Sequence, residues 1–179
     1  MRYRHANCLI VGAVLSVGLV VGSAARDLDL PNADFEEGLE HWTDKNPHLK
    51  TQVSEEAAYR GDYGVLVEDA DFDGGSSLLS ELIRVRPGDE LTLTFYGRNV
   101  TGDSMGVYLK FFDRDEEELE VLNEHGHEKV FSTKVRSEDW EKHEYEAEVP
   151  EGAAYVAVWL HSYNSDEVVA HLDEFTLSE

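Results

Sequence analysis

Three segments of the sequence combine an aromatic and a basic side chain two positions apart, within a background of alternating apolar residues. The pairs are Tyr96 and Arg98, Tyr108 and Lys110, and Trp159 and His161. Aromatic rings can stack on the apolar face of a sugar, while Arg, Lys and His side chains form hydrogen bonds with its hydroxyl groups. The three pairs therefore predict a surface that binds a carbohydrate and needs no catalytic group.

The apolar alternation around these pairs predicts three β-strands, because successive side chains of a strand point to opposite faces of its sheet. The positions expected to face the core are Leu91, Leu93 and Phe95, then Val107, Leu109 and Phe111, then Val156, Val158 and Leu160. The aromatic and basic positions would then share the face that lies away from the main core. The alternative is that Tyr96 and Trp159 only pack beneath a neighbouring loop.

A second chemical possibility lies in the acidic stretch from Asn32 to Trp42. We interpret this stretch as the first strand and corner of a β-sandwich, in which Phe35 and Trp42 anchor a turn at Gly38. Within it, Glu36 is expected to face a bound cation rather than a reaction, because hard cations such as Ca²⁺ prefer carboxylate oxygens.

The chain is strongly acidic, with 38 Asp and Glu residues against 15 Lys and Arg residues and a formal net charge of −23. Such a charge repels phosphate backbones, which argues against a nucleic acid as a partner. One interpretation of this acidity is solubility in a salty medium, where self-repulsion is screened. A more specific interpretation is that some of the carboxylates bind a cation. Because acidic residues are so frequent, one pair of neighbouring carboxylates is weak evidence for a site.

Residues 1–25 have the order of a secretory signal, with two Arg residues, an apolar run and then small residues. The alternative is an uncleaved membrane anchor, but the run is short for a span of about 20 residues and contains Gly and Ser. We predict a cleaved signal peptide, a secreted, periplasmic or cell-surface protein, and no membrane attachment after cleavage. Residues 26–179 would form one domain without cysteine, because Cys8 belongs to the leader.

The remainder contains nine or ten predicted short strands separated by turn signals, with no long segment of helical periodicity. Gly and Pro mark several of these turns, among them Pro87-Gly88 and Pro150-Glu151-Gly152. This pattern is typical of an all-β sandwich or barrel. We predict a single all-β domain without internal repeats.

Several motifs that could carry catalysis lack the context that the chemistry requires. The segment Gly102 to Gly106 fits the G-x-S-x-G nucleophile pattern, but it lies between two predicted strands rather than between a strand and a helix. His125 and His127 have no third ligand at a spacing that completes a transition-metal site. Paired Glu residues could hydrolyse glycosides, yet coincidence explains such pairs among 38 acids. We expect no enzyme, and a small hydrolase is the weakest alternative.

Short motifs follow one another along nearly the whole of residues 26–179, each degenerate but specific in their order. They are Asn32 to Glu36 with Gly38, Leu39 and Trp42; Tyr59 to Val65; Ile83, Val85, Pro87 and Gly88; Leu93, Phe95, Gly97 and Arg98; Phe112 to Asp115; Trp140; Val149 to Ala153; and Leu172 to Phe175 with Leu177. In this order the chain resembles carbohydrate-binding modules of the galactose-binding-like jelly-roll superfamily, in particular the group attached to bacterial xylanases and glucanases. The resemblance implies a jelly-roll β-sandwich of two antiparallel sheets that binds a polysaccharide or glycan. We expect a monomer.

The resemblance also implies a structural Ca²⁺ that ties the first strand to the last. The implied ligands are Glu36, Asp173 and either Glu55 or Glu56 through their carboxylates, and Asp34 and a residue near Arg60 through their backbone carbonyls. Ca²⁺ takes about six to eight oxygen ligands of these kinds, so the chemistry is consistent. Such an ion would link remote segments of a domain that has no disulfide.

The resemblance leaves two places open for the sugar. A site on the concave sheet implies the six residues of the three aromatic and basic pairs, whereas a site in the loops at one end would use Trp42, Tyr63 and Tyr163. The function also has an alternative from another class: a structural or adhesive surface module of the same fold whose sheet binds a protein or matrix. Fold alone does not separate the two, because such sandwiches carry many functions.

Overall fold

A computed structural model describes residues 26–46, 50–70, 74–163 and 167–179 of the chain. The predicted signal peptide, residues 1–25, lies outside the described residues, and its cleavage stays a prediction. Within the part of the chain that the structure describes, no helix is long and apolar enough to cross a membrane.

The described residues form twelve β-strands and one short 3₁₀ helix, Glu55–Ala57. The strands are β1 (Asp27–Leu28), β2 (Trp42–Asp44), β3 (Thr51–Ser54), β4 (Gly64–Asp69), β5 (Leu78–Ser80), β6 (Ile83–Arg84), β7 (Glu90–Thr101), β8 (Met105–Phe112), β9 (Ser132–Val135), β10 (Glu141–Glu148), β11 (Tyr155–His161) and β12 (Val168–Ser178). The sequence predicted nine or ten strands, because strands of two residues, such as β1 and β6, leave no alternation to detect.

Two six-stranded antiparallel sheets pack against each other. The first sheet has the order β10-β7-β12-β4-β3, with β1 added to β12, and the second has the order β2-β5-β11-β8-β9, with β6 added to β11. This architecture confirms the predicted all-β jelly-roll sandwich of two antiparallel sheets.

The core lies between the inward faces of β7 and β12 on one side and β8 and β11 on the other. Leu93 and Phe95 of the first sheet and Val158 and Leu160 of the second are fully buried, as the alternation predicted. Burial of apolar side chains is worth about 25 cal/mol per Å², so this interface supplies most of the favourable free energy of folding.

The stretch from Asn32 to His41 is a series of turns, so its predicted role as the first strand is wrong. The Asn32 side chain holds the turns together, because its amide donates to the carbonyls of Gly38 and Glu40, both at 2.9 Å. The predicted apolar anchors are nevertheless present. The Phe35 ring lies 5.0 Å from that of Trp42 and 5.9 Å from that of Phe175, so the turns are fastened to the core.

One end of the sandwich contains a buried polar network that links the two sheets. Lys50 and Asp69 form an ion pair of 2.5 Å with almost no exposed side-chain surface. The other carboxylate oxygen of Asp69 accepts the Ser162 hydroxyl at 2.5 Å, and the Ser162 hydroxyl oxygen accepts the Ser76 N–H at 2.6 Å. The charges and hydroxyl groups of the network are thus paired with one another, which is the condition under which a folded domain tolerates buried charge.

Candidate functional site

The structure divides the six predicted carbohydrate-binding residues between the two sheets. Tyr108 and Lys110 of β8 and Trp159 and His161 of β11 lie on the outward face of the second sheet, where Trp159 pairs with Tyr108 across neighbouring strands. Tyr96 and Arg98 lie on β7, on the outward face of the first sheet. The expectation that all six share one face is therefore not met. The alternation separates inward from outward positions, but it carries no information on which sheet a strand joins.

Four aromatic side chains form a row on the second sheet, here called the aromatic row: Tyr108, Trp159, His161 and Tyr163. The Trp159 ring stacks on the His161 ring at 4.2 Å and lies 4.9 Å from Tyr108, while Tyr163 lies 6.5 Å from His161. The rings of Trp159 and His161 meet because the two residues are two positions apart on β11. The pairing of β11 with β8 places the Tyr108 ring beside Trp159.

The Trp159 ring has a neighbour on each side along the strand. His161 follows it on β11, and Lys110 lies opposite Ala157, with its Nζ 4.0 Å from the centre of the ring. The indole N–H donates to the Ser77 hydroxyl at 2.9 Å, which fixes the orientation of the ring. The predicted combination of ring and cation is thus present, but a sugar that stacks on Trp159 must displace Lys110 from the ring.

Two grooves border this arrangement, with cavity volumes of about 270 Å³ and 260 Å³. Both are lined by Lys110, Glu118 and Trp159. Lys110 and Glu118, which both grooves share, form an ion pair of 2.8 Å, and the Lys110 side chain is about a quarter exposed. A concave site that joins aromatic rings to a few polar side chains is the usual form of a small-ligand or saccharide site.

Burial favours the neutral forms of His161 and Tyr108. Burial lowers the pKa of His161, the Ser76 carbonyl acts against that change, and the Lys110 cation lowers the pKa further. Burial also raises the pKa of Tyr108, and the hydrogen bond with Tyr163 raises it further by a smaller amount. His161 Nδ1 donates to the Ser76 carbonyl at 2.5 Å, so its Nε2 carries a lone pair that can accept a hydroxyl proton.

The outward face of the first sheet carries a separate aromatic cluster around Tyr96. Tyr59 stacks on Tyr96 at 3.7 Å, and Trp140 lies 5.4 Å from Tyr59. Arg98 lies 5.2 Å from the centre of the Trp140 ring and donates to His171 Nδ1 at 3.1 Å. Since these rings and the guanidinium already contact one another, Tyr96 and Arg98 have a clear structural role here.

His171 makes the stability of this cluster sensitive to pH. Burial lowers the pKa of His171 and the nearby Arg98 lowers it further, while burial also lowers the pKa of His143 and His161. As the pH falls through 6.5, these histidines bind protons in the unfolded chain before they do so in the folded one. The free energy of unfolding therefore falls as the pH falls. We expect urea unfolding to show this loss between about pH 7.5 and pH 5.5.

The variant His171→Asn is the matched test of this pH dependence. The Asn side-chain oxygen can replace Nδ1 as the acceptor for Arg98, but the amide does not titrate. The loss of stability between the two pH values is expected to be smaller in the variant than in the original protein. An unchanged loss would show that His171 does not contribute to it.

Several residues of both faces were not predicted from the sequence. Ser77, Tyr59, Trp140 and His171 were not proposed, because their loops and strands reach these faces only through tertiary pairing. Tyr163 was named for a site in the end loops, and it joins the aromatic row instead. The other two members of that alternative do not meet: Trp42 is buried in the core, and Tyr63 is exposed in the turn after residue 61.

Two of the residues predicted to bind Ca²⁺, Glu36 and Asp173, meet at the turn of residues 59–63. Glu36 Oε1 accepts the backbone N–H groups of Asp62 at 2.8 Å and Tyr63 at 3.0 Å. Asp173 Oδ2 accepts those of Tyr59 at 2.8 Å and Arg60 at 3.0 Å. The two carboxylates thus connect this turn to the turns of residues 32–41 and to β12 by hydrogen bonds, and the predicted ion stays a prediction.

The predicted Ca²⁺ ligands fit an ion only in part. Asp34 is exposed among the turns, and Glu56 is exposed in the 3₁₀ helix, where its carbonyl accepts from Arg98 at 3.3 Å. Among the described residues, no group of three or more His, Cys, Asp or Glu side chains is placed to hold a metal ion. Glu36, Glu56 and Asp173 therefore do not form such a group, although Glu36 and Asp173 serve the same turn.

Asp173 is the predicted ligand whose environment is most unusual for a carboxylate. Its side chain is fully buried, and burial raises its pKa, while the N–H groups of Arg60, Tyr59 and Glu174 act in the opposite direction. A buried carboxylate is disfavoured in its charged form unless hydrogen bonds or a cation compensate the loss of hydration. Three backbone donors supply that compensation in the structure.

A family-level comparison matches most of the chain. The model of a family described as carbohydrate binding domain matches residues 30–166. The match includes β2 to β11 and all four residues of the aromatic row. No curated protein matches the chain.

Solved structures share the fold at low sequence identity. The structure titled Family 16 Carbohydrate Binding Module-2 has a TM-score of 0.63 and 17% identity, and the match covers 84% of this chain and 99% of that one. The CBM22-1 xylan-binding domain from Paenibacillus barcinonensis has a TM-score of 0.56 and 16% identity, with 81% and 90% covered. The TmCBM61 module in complex with β-1,4-galactotriose has a TM-score of 0.52 and 19% identity, with 85% and 97% covered.

Proposed function

The chain belongs to the family of carbohydrate binding domains, and from this premise we propose that it binds a poly- or oligosaccharide through the outward face of its second sheet. The observation that carries the proposal is the aromatic row, in which Trp159 stands between Lys110 and His161 above two grooves. Such a face offers ring surface for stacking and neutral polar groups for sugar hydroxyls.

The contacts of Trp159 suggest how a sugar enters. The Lys110 ammonium lies over the indole ring and is paired with Glu118. A cation–π contact at such a site is worth about 0.5–1 kcal/mol, so stacking of a sugar on the same ring can displace it. The released ammonium remains within reach of the bound sugar, where Lys110 and Glu118 supply hydrogen bonds to hydroxyl groups.

The family is one of binding domains, so the proposed role of the chain is recognition without catalysis. The proposal also includes export, with residues 1–25 as the cleaved signal, because an extracellular polysaccharide is then accessible. We further propose a monomer, since one sheet face is sufficient for the site. N-terminal sequencing of the exported protein tests the cleavage of residues 1–25, and sedimentation tests the monomer.

A glycan array and polysaccharide pull-down test the proposed function directly. Purified protein should bind at least one class of polysaccharide and should not hydrolyse it. Binding to proteins or matrix with no response to any glycan would support the structural or adhesive module instead. Release of reducing sugar during the incubation would contradict the non-catalytic role.

We also propose that Ca²⁺ occupies the turn of residues 59–63, with Glu36 and Asp173 as the carboxylate ligands. The support for this proposal is that both carboxylates already reach this turn. Asp34 and a residue near Arg60 would contribute carbonyl oxygens as the resemblance implies. A ligand that binds only the folded state raises the melting temperature.

The metal proposal predicts a lower melting temperature in the presence of chelator. We expect the midpoint to fall by several degrees when Ca²⁺ is removed with EGTA and to recover when Ca²⁺ is added in excess, because binding of Ca²⁺ at about a hundred times its Kd contributes about 2.7 kcal/mol. Mg²⁺ at the same ionic strength is the control, since it demands a smaller, octahedral site. Equal midpoints in EGTA and in Ca²⁺ would exclude the ion.

A further inference from the structure

Four arginines line a cavity where the residues next to β1 and β12 of the first sheet meet β6 and the start of β11 of the second sheet. Its volume is about 540 Å³, and the two carboxylates in its lining are those of Asp89 and Glu179. The four arginines come from separate places in the sequence: Arg26 before β1, Arg84 in β6, Arg86 in the next turn and Arg114 after β8. The tertiary structure therefore concentrates positive charge here in a chain whose net charge is −23.

The carboxylates of the cavity already have partners. Glu179 pairs with Arg26 at 2.7 Å, and Asp89 accepts the backbone N–H of Arg86 at 3.0 Å, a bond that shapes the turn. Within the described ranges, Arg84, Arg86 and Arg114 form no ion pair. Guanidinium groups that share a cavity repel one another, so the cavity favours an anion that can bind to several of them.

Tyr155 keeps one of these arginines in place. It pairs with Arg84 across β11 and β6, and the Arg84 Cζ lies 5.3 Å from the centre of the Tyr155 ring. Arg84 Nη2 also donates to the Tyr155 hydroxyl at 3.3 Å. A guanidinium that is held in this way loses little side-chain entropy when it binds an anion.

The cavity and the aromatic row share strand β11, through Tyr155 and Trp159. Tyr155 and Trp159 are both half-buried on the outward face, and a step of four residues along the strand places them about 13 Å apart. Lys110 of β8 lies between them, opposite Ala157, and Phe112 lies opposite Tyr155. An oligosaccharide that stacks on Trp159 and follows this strand reaches the arginines.

We propose that the arginine cavity binds an oxyanion, carboxylate or sulfate, carried by the glycan, and that the ligand is therefore an anionic polysaccharide. This inference rests on the function proposed above for the aromatic row. Arginine forms two parallel hydrogen bonds with planar or tetrahedral oxyanions, which neutral hydroxyl groups cannot match in strength. The acidic surface elsewhere repels such a ligand only over short distances, because the Debye length is about 8 Å at 0.15 M salt.

The test compares three polysaccharides with one backbone: a polyuronate, its carboxyl-reduced neutral form and a sulfated derivative of that neutral form. Calorimetric titration at about 0.15 M salt is done with the original protein, Arg86→Gln, Arg114→Gln and the matched control Lys142→Gln. Lys142 is a suitable control because it lies on β10 of the first sheet and is exposed. The polyuronate and sulfated arms distinguish the two sources of the oxyanion.

We expect at least one anionic form to bind about tenfold more tightly than the neutral form. The arginine variants should lose most of this preference and keep the affinity for the neutral form, whereas Lys142→Gln should keep both. Equal affinity of the original protein for all three forms would overturn the proposal. A preference that survives in both arginine variants would overturn it as well.

A second measurement separates this proposal from the function on which it rests. Free glucuronate and sulfate are titrated while the Nε–H resonances of the arginines are followed by NMR. Saturable shifts at Arg84 and Arg114 that Arg86→Gln weakens support the oxyanion site, even if no polysaccharide binds and the proposed function fails. Absence of such shifts, together with binding of neutral polysaccharide alone, refutes the oxyanion site and leaves the proposed function intact.

Discussion

The variant Trp159→Ala is expected to lose polysaccharide binding by about thirtyfold or more, because central aromatic residues in binding sites cost about 2 kcal/mol or more when truncated. The variant removes the ring that lies between Lys110 and His161 and that lines both grooves. Affinity electrophoresis or calorimetric titration with the polysaccharide identified on the glycan array gives the measurement.

The matched control is Trp140→Ala, since Trp140 is also a half-buried tryptophan with a cation over its ring. Its ring packs on the outward face of the first sheet, so the binding constant should stay within about twofold of the original. Melting curves of both variants confirm that they are folded. Retention of binding in Trp159→Ala, or an equal loss in Trp140→Ala, would contradict a site on the second sheet.

Tyr96→Ala is informative for the same reason. Tyr96 was predicted to share the site with Trp159, but it stacks on Tyr59 on the outward face of the first sheet. We expect no effect on binding and a modest loss of stability. A loss of binding would mean that the first sheet carries the site or a second one.

The second large effect concerns stability: Lys50→Met is expected to destabilise the fold by about 3–5 kcal/mol. The change leaves the Asp69 carboxylate buried without its cation, since the two side chains are almost completely inaccessible to solvent. The Ser162 hydroxyl still donates to Asp69, but one neutral donor does not replace an ammonium. Equilibrium unfolding in urea at neutral pH measures the loss.

Two further variants test the physical reason. Lys142→Met removes an exposed lysine that lies 3.8 Å from Glu144, so it should change the free energy of unfolding by no more than about 1 kcal/mol. The double variant Lys50→Met with Asp69→Asn should regain much of the lost stability, because the amide still accepts from Ser162 and carries no charge. If the double variant is no more stable than Lys50→Met, the buried charge is not the cause.

Much of the fold could be predicted from the sequence. The period-two patterns around Leu93 and Val158 identified strands and their buried faces, since alternation follows directly from the geometry of a strand. The strand predicted from Asn32 to His41 was wrong. The Asn32 side-chain amide donates to two backbone carbonyls there and stabilises turns instead. Side-chain to backbone hydrogen bonds of this kind leave no periodic signal.

The candidate site could be predicted only in part. The sequence identified Tyr108, Lys110, Trp159 and His161 as outward aromatic and basic positions, and the structure brings these four together. It placed Tyr96 with them, because each strand shows which of its residues face outward but not to which sheet it belongs.

The sequence by itself thus determined the longer strands, their inward and outward residues, the acidic charge and the family resemblance, because these depend on local order along the chain. Only the tertiary structure decided which outward residues meet. It separated Tyr96 from Trp159, joined Glu36 and Asp173 at one turn, and gathered Arg26, Arg84 and Arg114 around one cavity. The physical reason is that a sandwich has two outward faces, and long-range pairing of strands assigns every residue to one of them.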